Sequence, residues 1–131
     1  MKERFRLKTS FGEKIVEIKV MYYVYGNGLC LKFLEDGECY GYATVNFENK
    51  LPKYMAYVDT NDMPYIEEFI EKYRLGTNTG MYMESGFCKY PLYHFDKAIL
   101  QKIDKKGVNL YESHNKESYE NGNDKLWIKL F

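Results

Sequence analysis

The sequence of residues 15–25 is Ile-Val-Glu-Ile-Lys-Val-Met-Tyr-Tyr-Val-Tyr. Apolar side chains occupy every second position from Val16 to Val24, and polar residues such as Glu17 and Lys19 fall between them. Successive side chains of a β-strand point to opposite faces, so this period of two predicts a strand with one buried face. The other elements can be placed outwards from this strand.

A meander of hairpins is predicted on the C-terminal side of this strand. Gly26-Asn27-Gly28 is a tight turn in which positive φ angles cost little, and it leads into a strand at residues 29–34. Asp36-Gly37 is a second hairpin turn before a strand at residues 40–47. A further short strand is expected at residues 54–58. The predicted sheet is therefore antiparallel.

Three other segments favour strands. One is expected near the N-terminus, at residues 3–9. Residues 81–95 are rich in strand formers, and Pro91 confines the later part of this segment to an edge or an exit. Residues 126–131, Leu-Trp-Ile-Lys-Leu-Phe, alternate and predict a final strand. Residues 77–80, Thr-Asn-Thr-Gly, are expected to form a loop.

A helix over residues 63–75 is predicted where the apolar period changes. Asn61-Asp62-Met63-Pro64 combines a capping side chain with a proline in the first turn. Apolar side chains then recur at i, i+3, i+4 and i+7, in a stripe made by Ile66, Phe69, Ile70 and Tyr73. Because an isolated amphipathic helix of this length is unstable in water, we expect it to cover the apolar face of the sheet.

The remaining segments complete one α+β domain that spans residues 1–131. Residues 96–104 support a short second helix, through Ala98, Ile99 and Ile103. Residues 112–125 contain hardly any apolar side chain and predict a polar loop or a hairpin tip. The predicted architecture is an antiparallel β-sheet packed by one main amphipathic helix, and the chain length fits a single domain.

The charge of the chain is balanced but unevenly distributed. Nineteen basic and nineteen acidic side chains give a net charge of zero, whereas dedicated nucleic-acid binders usually carry a basic excess. Residues 1–20 hold six basic and three acidic side chains, and residues 35–71 hold two basic and nine acidic ones. The acidic segment has two open interpretations, an ordinary solvated surface or a patch that docks on a basic partner.

The cysteines and the N-terminus bear on the cellular compartment. Cys30, Cys39 and Cys88 are widely spaced and form no C-x-x-C pair, which favours reduced thiols over a disulfide framework or a zinc ribbon. The first residues lack the apolar run of a signal peptide, and no window approaches the roughly 18 apolar residues of a membrane span. We therefore expect a cytoplasmic protein that has no membrane segment.

No motif in the sequence indicates a catalytic, cofactor or metal site. Cys88 and His94 would lie about 20 Å apart on an extended strand, too far to share a metal ion. The segment around Ser85 lacks the glycine spacing of a nucleophile elbow and is better explained as a bend or a bulge. Phosphate loops, dinucleotide fingerprints and zinc-protease motifs do not occur. A small enzyme that uses Cys88 or Ser85 remains an alternative hypothesis.

Tyrosine is abundant, with 14 residues. Tyr23, Tyr25, Tyr40 and Tyr42 lie in predicted strands, where they would form a stacking platform for bases like those of RNA-binding domains. Cross-strand packing is the competing explanation, because acidic residues lie close to them in the sequence. A nucleic-acid-binding or nucleotide-binding module that uses these strands is therefore an alternative function.

Five short motifs occur in a fixed order along the chain. They are Tyr25-Gly26-Asn27-Gly28-Leu29-Cys30-Leu31, Ala43-Thr44-Val45-Asn46, Asp59-Thr60-Asn61, Ser85-Gly86-Phe87 and Tyr90-Pro91-Leu92. With them, residues 22–95 resemble a family of small bacterial proteins that share a domain of unknown function and are common on phages, plasmids and conjugative elements. The resemblance implies a small accessory protein of a mobile element. Such proteins are often non-enzymatic binders, including inhibitors of host defences such as CRISPR effectors.

The leading hypothesis from the sequence is a non-enzymatic, protein-binding accessory factor of a phage or mobile genetic element. Its expected partner is another protein, a host effector with a basic surface. The candidate partner-binding residues are six acidic side chains and two tyrosines: Glu35, Asp36, Glu38, Glu67, Glu68, Glu71, Tyr23 and Tyr40.

Overall fold

Two antiparallel sheets and three helices make up the computed structural model of the chain, which describes residues 3–47 and 49–115. The strands of the first sheet are β1 (Phe5–Thr9), β2 (Gly12–Tyr22), β3 (Leu29–Glu35) and β4 (Glu38–Tyr42). Those of the second sheet are β5 (Thr44–Val45), β6 (Met55–Val58), β7 (Gly76–Ser85) and β8 (Cys88–Phe95). The helices are α1 (Ile66–Lys72), α2 (Lys97–Ile103) and α3 (Lys105–Ser113). The predicted α+β class is confirmed.

The order of the strands differs between the two sheets. The first sheet is a meander in the order β1-β2-β3-β4, as the hairpin turns predict. The second has the order β5-β6-β8-β7, so β7 lies at its edge. The strand predicted at residues 40–47 is divided between β4 and β5. Ala43 separates these two strands. Its amide donates to the carbonyl of Leu31 on one side, and its carbonyl accepts from the amide of Asp59 on the other.

Strand β2 has the predicted alternation. Val16, Ile18 and Val20 are buried, and Lys19 between them is exposed. The strand ends at Tyr22 rather than at residue 25, because the chain already turns there and the amide of Tyr23 donates to Gly28 at 2.9 Å. The buried face of β2 lies in one core with the inner faces of both sheets.

Helix α1 buries three of the four residues of the predicted apolar stripe, whereas Tyr73 is half-buried and follows the helix as its C-cap. Ile66, Phe69 and Ile70 are all buried, and the ring of Phe69 lies 5.1 Å from that of Phe33 on β3. Burying side chains of this size contributes about 1.5–3 kcal/mol each. The predicted cap at residues 61–64 is wrong, because the helix begins at Ile66 and its N-cap, Tyr65, makes no side-chain capping bond.

The segment from residue 76 to residue 95 is a long hairpin. The loop predicted at residues 77–80 belongs to β7, where the register shifts between Asn78 and Tyr82 and Gly80 has a φ of 87°. The Thr79 hydroxyl donates to the carbonyl of Leu92 at 2.8 Å, and this hydrogen bond holds the bulge against β8. The segment predicted at residues 81–95 is therefore two strands joined by a tight turn.

The predicted second helix is confirmed as α2, whose N-cap is Asp96. The third helix, α3, was not predicted. Residues 112–113, where the composition predicts a polar loop, lie in its last turn. Residues 116–125 and the strand predicted at residues 126–131 lie outside the described residues. No helix in the described part of the chain is long and apolar enough to cross a membrane.

Candidate interaction surfaces

The six acidic candidate residues lie in two separate groups. Those of the first group are on α1: Glu67, Glu68 and Glu71. Those of the second group are at the β3–β4 hairpin: Glu35, Asp36 and Glu38. Basic side chains of the first sheet reach both groups, because Lys8 lies 3.7 Å from Glu68 and Lys14 lies 3.5 Å from Glu35. Basic side chains of residues 1–20 therefore lie next to acidic side chains of residues 35–71, and the acidic groups do not form one continuous negative patch.

The three glutamates of α1 have different surroundings. The hydroxyl of Tyr93 donates to Glu67 at 2.5 Å, and the amide of Asn78 donates to the same oxygen at 3.3 Å. Burial, and then the Glu67 carboxylate, raise the pKa of Tyr93. Glu68 keeps 67% of its side chain exposed, and Glu71 is also exposed. Glu67 therefore links α1 to the second sheet through hydrogen bonds, whereas Glu68 and Glu71 are the acidic side chains of this helix that a partner could contact.

The two candidate tyrosines do not form a stacking pair. The hydroxyl of Tyr23 donates to the carbonyl of Thr44 at 3.0 Å and lies 2.8 Å from its side-chain oxygen. Burial raises the pKa of Tyr23. Tyr40 is 36% exposed and belongs to β4, which β3 separates from β2. Tyr23 therefore packs as a structural side chain.

A cleft of about 670 Å³ lies between the β2–β3 turn, the segment that joins β5 to β6, and the end of α3. Two side-chain amides fix its walls, since Asn46 donates to the carbonyl of Tyr25 at 3.1 Å and Asn115 donates to that of Asn27 at 2.8 Å. Two of the five sequence motifs meet here. Sequence patterns could not reveal this cleft, because its walls come from three distant segments.

The other three motifs meet beside the turn of the β7–β8 hairpin. The Cys88 thiol donates to the side-chain oxygen of Asn61 at 3.3 Å, and the Thr60 hydroxyl donates to the carbonyl of Lys89 at 3.0 Å. Ser85 pairs with Cys88 across the hairpin. Among the described residues, no three His, Cys, Asp or Glu side chains are grouped as metal ligands would be.

The β7–β8 hairpin carries the most exposed apolar side chains of the second sheet. None of residues 76–91 is buried. Phe87, in the turn, is fully exposed, and Met81 and Tyr82 on β7 are 63% and 53% exposed. The ammonium group of Lys89 lies 4.8 Å from the centre of the Tyr82 ring. This surface was not predicted, because a run of strand-forming residues has the same pattern whether it is buried or exposed.

A family model described as a domain of unknown function, DUF4313, matches residues 17–115. The chain belongs to the DUF4313 family. This agrees with the resemblance to a family whose domain has no known function, and it extends the match beyond residue 95. The DUF4313 region starts within β2 and includes α3, the cleft and the β7–β8 hairpin. No curated protein and no solved structure matches the chain.

Glu112 anchors the last helix of the DUF4313 region. Its carboxylate accepts a hydrogen bond from the Tyr54 hydroxyl and lies 3.0 Å from Lys53 and 3.2 Å from Lys97. Burial by itself would raise the pKa of Glu112, but the hydrogen bonds from Tyr54, Lys53 and Lys97 outweigh it and lower the pKa to about 2. The carboxylate therefore stabilises the folded chain in its charged form.

We expect Glu112→Gln to lower the free energy of unfolding at neutral pH by about 2 kcal/mol, because it weakens three charge-assisted hydrogen bonds. The unfolded carboxyl binds its proton near pH 4.5 and the folded one near pH 2. The wild-type protein should therefore lose this contribution as the pH falls from about 4.5 to about 2. Urea unfolding of the wild type and of Glu112→Gln at several pH values measures the loss of stability and its dependence on pH. A difference in the free energy of unfolding between the two proteins that persists at pH 2 would contradict the stabilising role of the Glu112 carboxylate.

Proposed function

We propose that this chain is a non-enzymatic, protein-binding accessory factor that engages its partner through the β7–β8 hairpin. The observation that carries the proposal is the β7–β8 hairpin, which has no buried residue from 76 to 91, is two-stranded from residue 82 to residue 91, and displays Met81, Tyr82 and Phe87. A ribbon of this kind is marginally stable by itself in water. A partner that covers its apolar side chains would both order it and gain binding free energy.

The exposed side chains are of the types found at interface centres. Aromatic residues and methionine are enriched in the buried core of protein interfaces, and a few such anchors usually supply most of the binding energy. Phe87 is the most prominent anchor here, because the tight turn at Gly86, with a φ of 63°, holds it at the tip of the hairpin. Tyr82 adds a ring on the flank.

The open edge of β7 supports the same proposal. Strand β7 lies at the edge of its sheet and contains no lysine, arginine or proline, the residues that commonly protect an edge from pairing. The bulge between Asn78 and Tyr82 ends where the regular pairing of residues 82–85 with β8 begins. A partner strand would find free backbone groups beside residues 82–85.

The biological setting is part of the proposal. The expected resemblance to proteins of phages, plasmids and conjugative elements suggests a mobile element as the source, and a host defence effector such as a CRISPR complex as the partner, met in the bacterial cytoplasm. Glu68 and Glu71 are exposed on α1, where negative charge would steer the protein towards a basic effector surface.

The test compares matched aromatic substitutions. We expect Phe87→Ala with Tyr82→Ala to weaken capture of purified host effector complexes by at least roughly tenfold, since interface anchors commonly contribute about 2 kcal/mol each. Phe11→Ala is the control, because Phe11 is 98% exposed in the β1–β2 turn of the other sheet. Equal binding by the wild type, the Phe87 and Tyr82 double variant and the Phe11→Ala control would refute the proposal that the hairpin binds the partner.

A second arm tests the acidic side chains. Glu68→Lys with Glu71→Lys should slow association at low salt and leave the dissociation rate nearly unchanged, because exposed charges mainly steer the encounter. Glu67 is left intact, since it holds Tyr93 and Asn78. An association rate that does not change would remove the steering role and leave the hairpin proposal standing.

A further inference from the structure

A row of three side chains crosses the outer face of the first sheet. Lys19 on β2 pairs with Lys32 on β3, and Lys32 pairs in turn with Tyr42 on β4. The adjacent pair, Ile18 and Phe33, is buried in the core. Because side chains alternate along a strand, the row from Lys19 to Tyr42 points away from the core.

The row is accessible. Lys19 is exposed, Lys32 is half-buried, and Tyr42 is 43% exposed. It lies on the first sheet, whereas the β7–β8 hairpin belongs to the second. A ligand on this row would therefore use a surface different from that of the proposed protein partner.

The two lysines form an unfavourable pair in the free protein. Side chains directly opposite each other in an antiparallel pair lie about 5 Å apart at Cβ, and like charges in this position destabilise the sheet. Neither Lys19 nor Lys32 forms an ion pair with any carboxylate among residues 3–47 and 49–115. Glu17 lies two residues before Lys19 on the same face of β2, but no ion pair joins it to either lysine in the described chain, and a bound anion would relieve the remaining repulsion.

We propose that this row, Lys19, Lys32 and Tyr42, binds single-stranded nucleic acid. The two ammonium groups would contact backbone phosphates, and the ring of Tyr42 would stack on a base. Exposed aromatic rings beside cations on an open sheet are the usual means of holding single strands without reading their sequence. The set differs from the tyrosine platform expected from the sequence, because Tyr23 is bonded to Thr44 and Lys19 and Lys32 supply the positive charge.

The experiment measures fluorescence anisotropy of labelled, mixed-sequence single-stranded DNA and RNA against the full chain over a range of salt concentrations. Two phosphate contacts predict that the logarithm of the binding constant falls with the logarithm of salt concentration with a slope of about −1.4, since each contact contributes roughly −0.7. Lys32→Gln should reduce the slope by about 0.7. Tyr42→Ala should weaken binding roughly tenfold and leave the slope unchanged.

Lys19→Glu is the decisive variant. It removes a phosphate contact and places opposite charges across β2 and β3, so it should raise the melting temperature while it abolishes binding. Loss of binding together with a higher melting temperature cannot result from unfolding. The matched control is Tyr82→Ala with Lys89→Gln, which removes a lysine–tyrosine pair from the second sheet and should leave nucleic-acid binding unchanged.

Three results would overturn the proposal. The first is the absence of salt-dependent binding to either DNA or RNA by the wild-type chain. The second is equal loss of binding in the control pair and in the Lys19 and Tyr42 variants, which indicates non-specific attraction. The third is unchanged binding by Lys19→Glu, which shows that the ammonium group of Lys19 makes no phosphate contact.

Discussion

Replacing Gly107 with alanine is expected to lower the free energy of unfolding by about 2–3 kcal/mol, although the same change stabilises an ordinary helix by up to about 1 kcal/mol. A Cβ atom at this position would lie 2.2 Å from the carbonyl oxygen of Val20 and 2.5 Å from the carboxylate of Asp104. The Val20 oxygen belongs to the backbone of β2, so it cannot move without shifting the sheet. The helix would have to move instead.

A shift of α3 would disturb the contacts that this helix makes with the rest of the core. The hydroxyl of Tyr111 accepts a hydrogen bond from the amide of Tyr54 at 2.9 Å, and the two rings lie 5.1 Å apart. Tyr54 has a φ of 65°, an uncommon conformation that these contacts hold in place. The cost of the Gly107 substitution therefore includes loosened packing in addition to the local clash.

Urea unfolding measures the effect of Gly107→Ala. Gly28→Ala is the matched control, because a Cβ there would meet its nearest neighbours at 3.7 Å and 3.8 Å, ordinary contact distances. The control should change the free energy of unfolding by less than about 1 kcal/mol. A Gly107→Ala protein that is as stable as the wild type would show that α3 does not lie this close to β2.

Asp104→Ala is expected to destabilise the protein by about 2–4 kcal/mol, the second large effect. One carboxylate oxygen caps α3 by accepting from the amide of Gly107 at 3.1 Å. The other accepts from the amide of Val20 at 3.0 Å. Val20 lies beyond Val16, where the pairing of β1 with β2 ends. Removing the carboxylate therefore leaves a partly buried strand amide without its acceptor.

Asp96→Ala provides the comparison. Asp96 caps α2 by accepting from the amides of Ala98 and Ile99, and both bonds are exposed. Loss of an exposed cap costs about 1 kcal/mol. An equal loss of unfolding free energy in the two variants would contradict a stabilising contact between Asp104 and the Val20 amide of β2. Faster hydrogen exchange at the Val20 amide in the Asp104 variant alone would support this contact.

The elements predicted correctly from the sequence are those whose pattern is local. The alternation around Val20 and the stripe of Phe69 on α1 are each complete within a dozen residues, and the burial of each follows from its period. Helix α3 was missed because Gly107 lowers its helix propensity and its buried side chains, Val108 and Tyr111, are too few to form a recognisable stripe. The second contact of its N-cap, from the Val20 amide to Asp104, joins residues 84 positions apart and has no local pattern in the sequence.

The candidate surfaces depend still more on register and exposure. The acidic candidate residues follow from the composition of one segment, whereas only the folded chain brings Lys8 beside Glu68 and Lys14 beside Glu35. The pairing of Lys19 with Lys32 requires the exact register of the β2–β3 hairpin, which a turn motif alone does not specify. Similarly, the exposure of Phe87 follows from the absence of any element that covers the hairpin within the described residues.

Site-specific photocrosslinking tests most directly whether the β7–β8 hairpin is the partner-binding surface. A photoreactive phenylalanine analogue would replace Phe87 in one protein and Phe11 in another, and both proteins would be irradiated with the host effector complex. We predict one crosslinked product from position 87, lost when Tyr82→Ala is added, and none from position 11. A product from position 11 with none from position 87 would contradict the proposal.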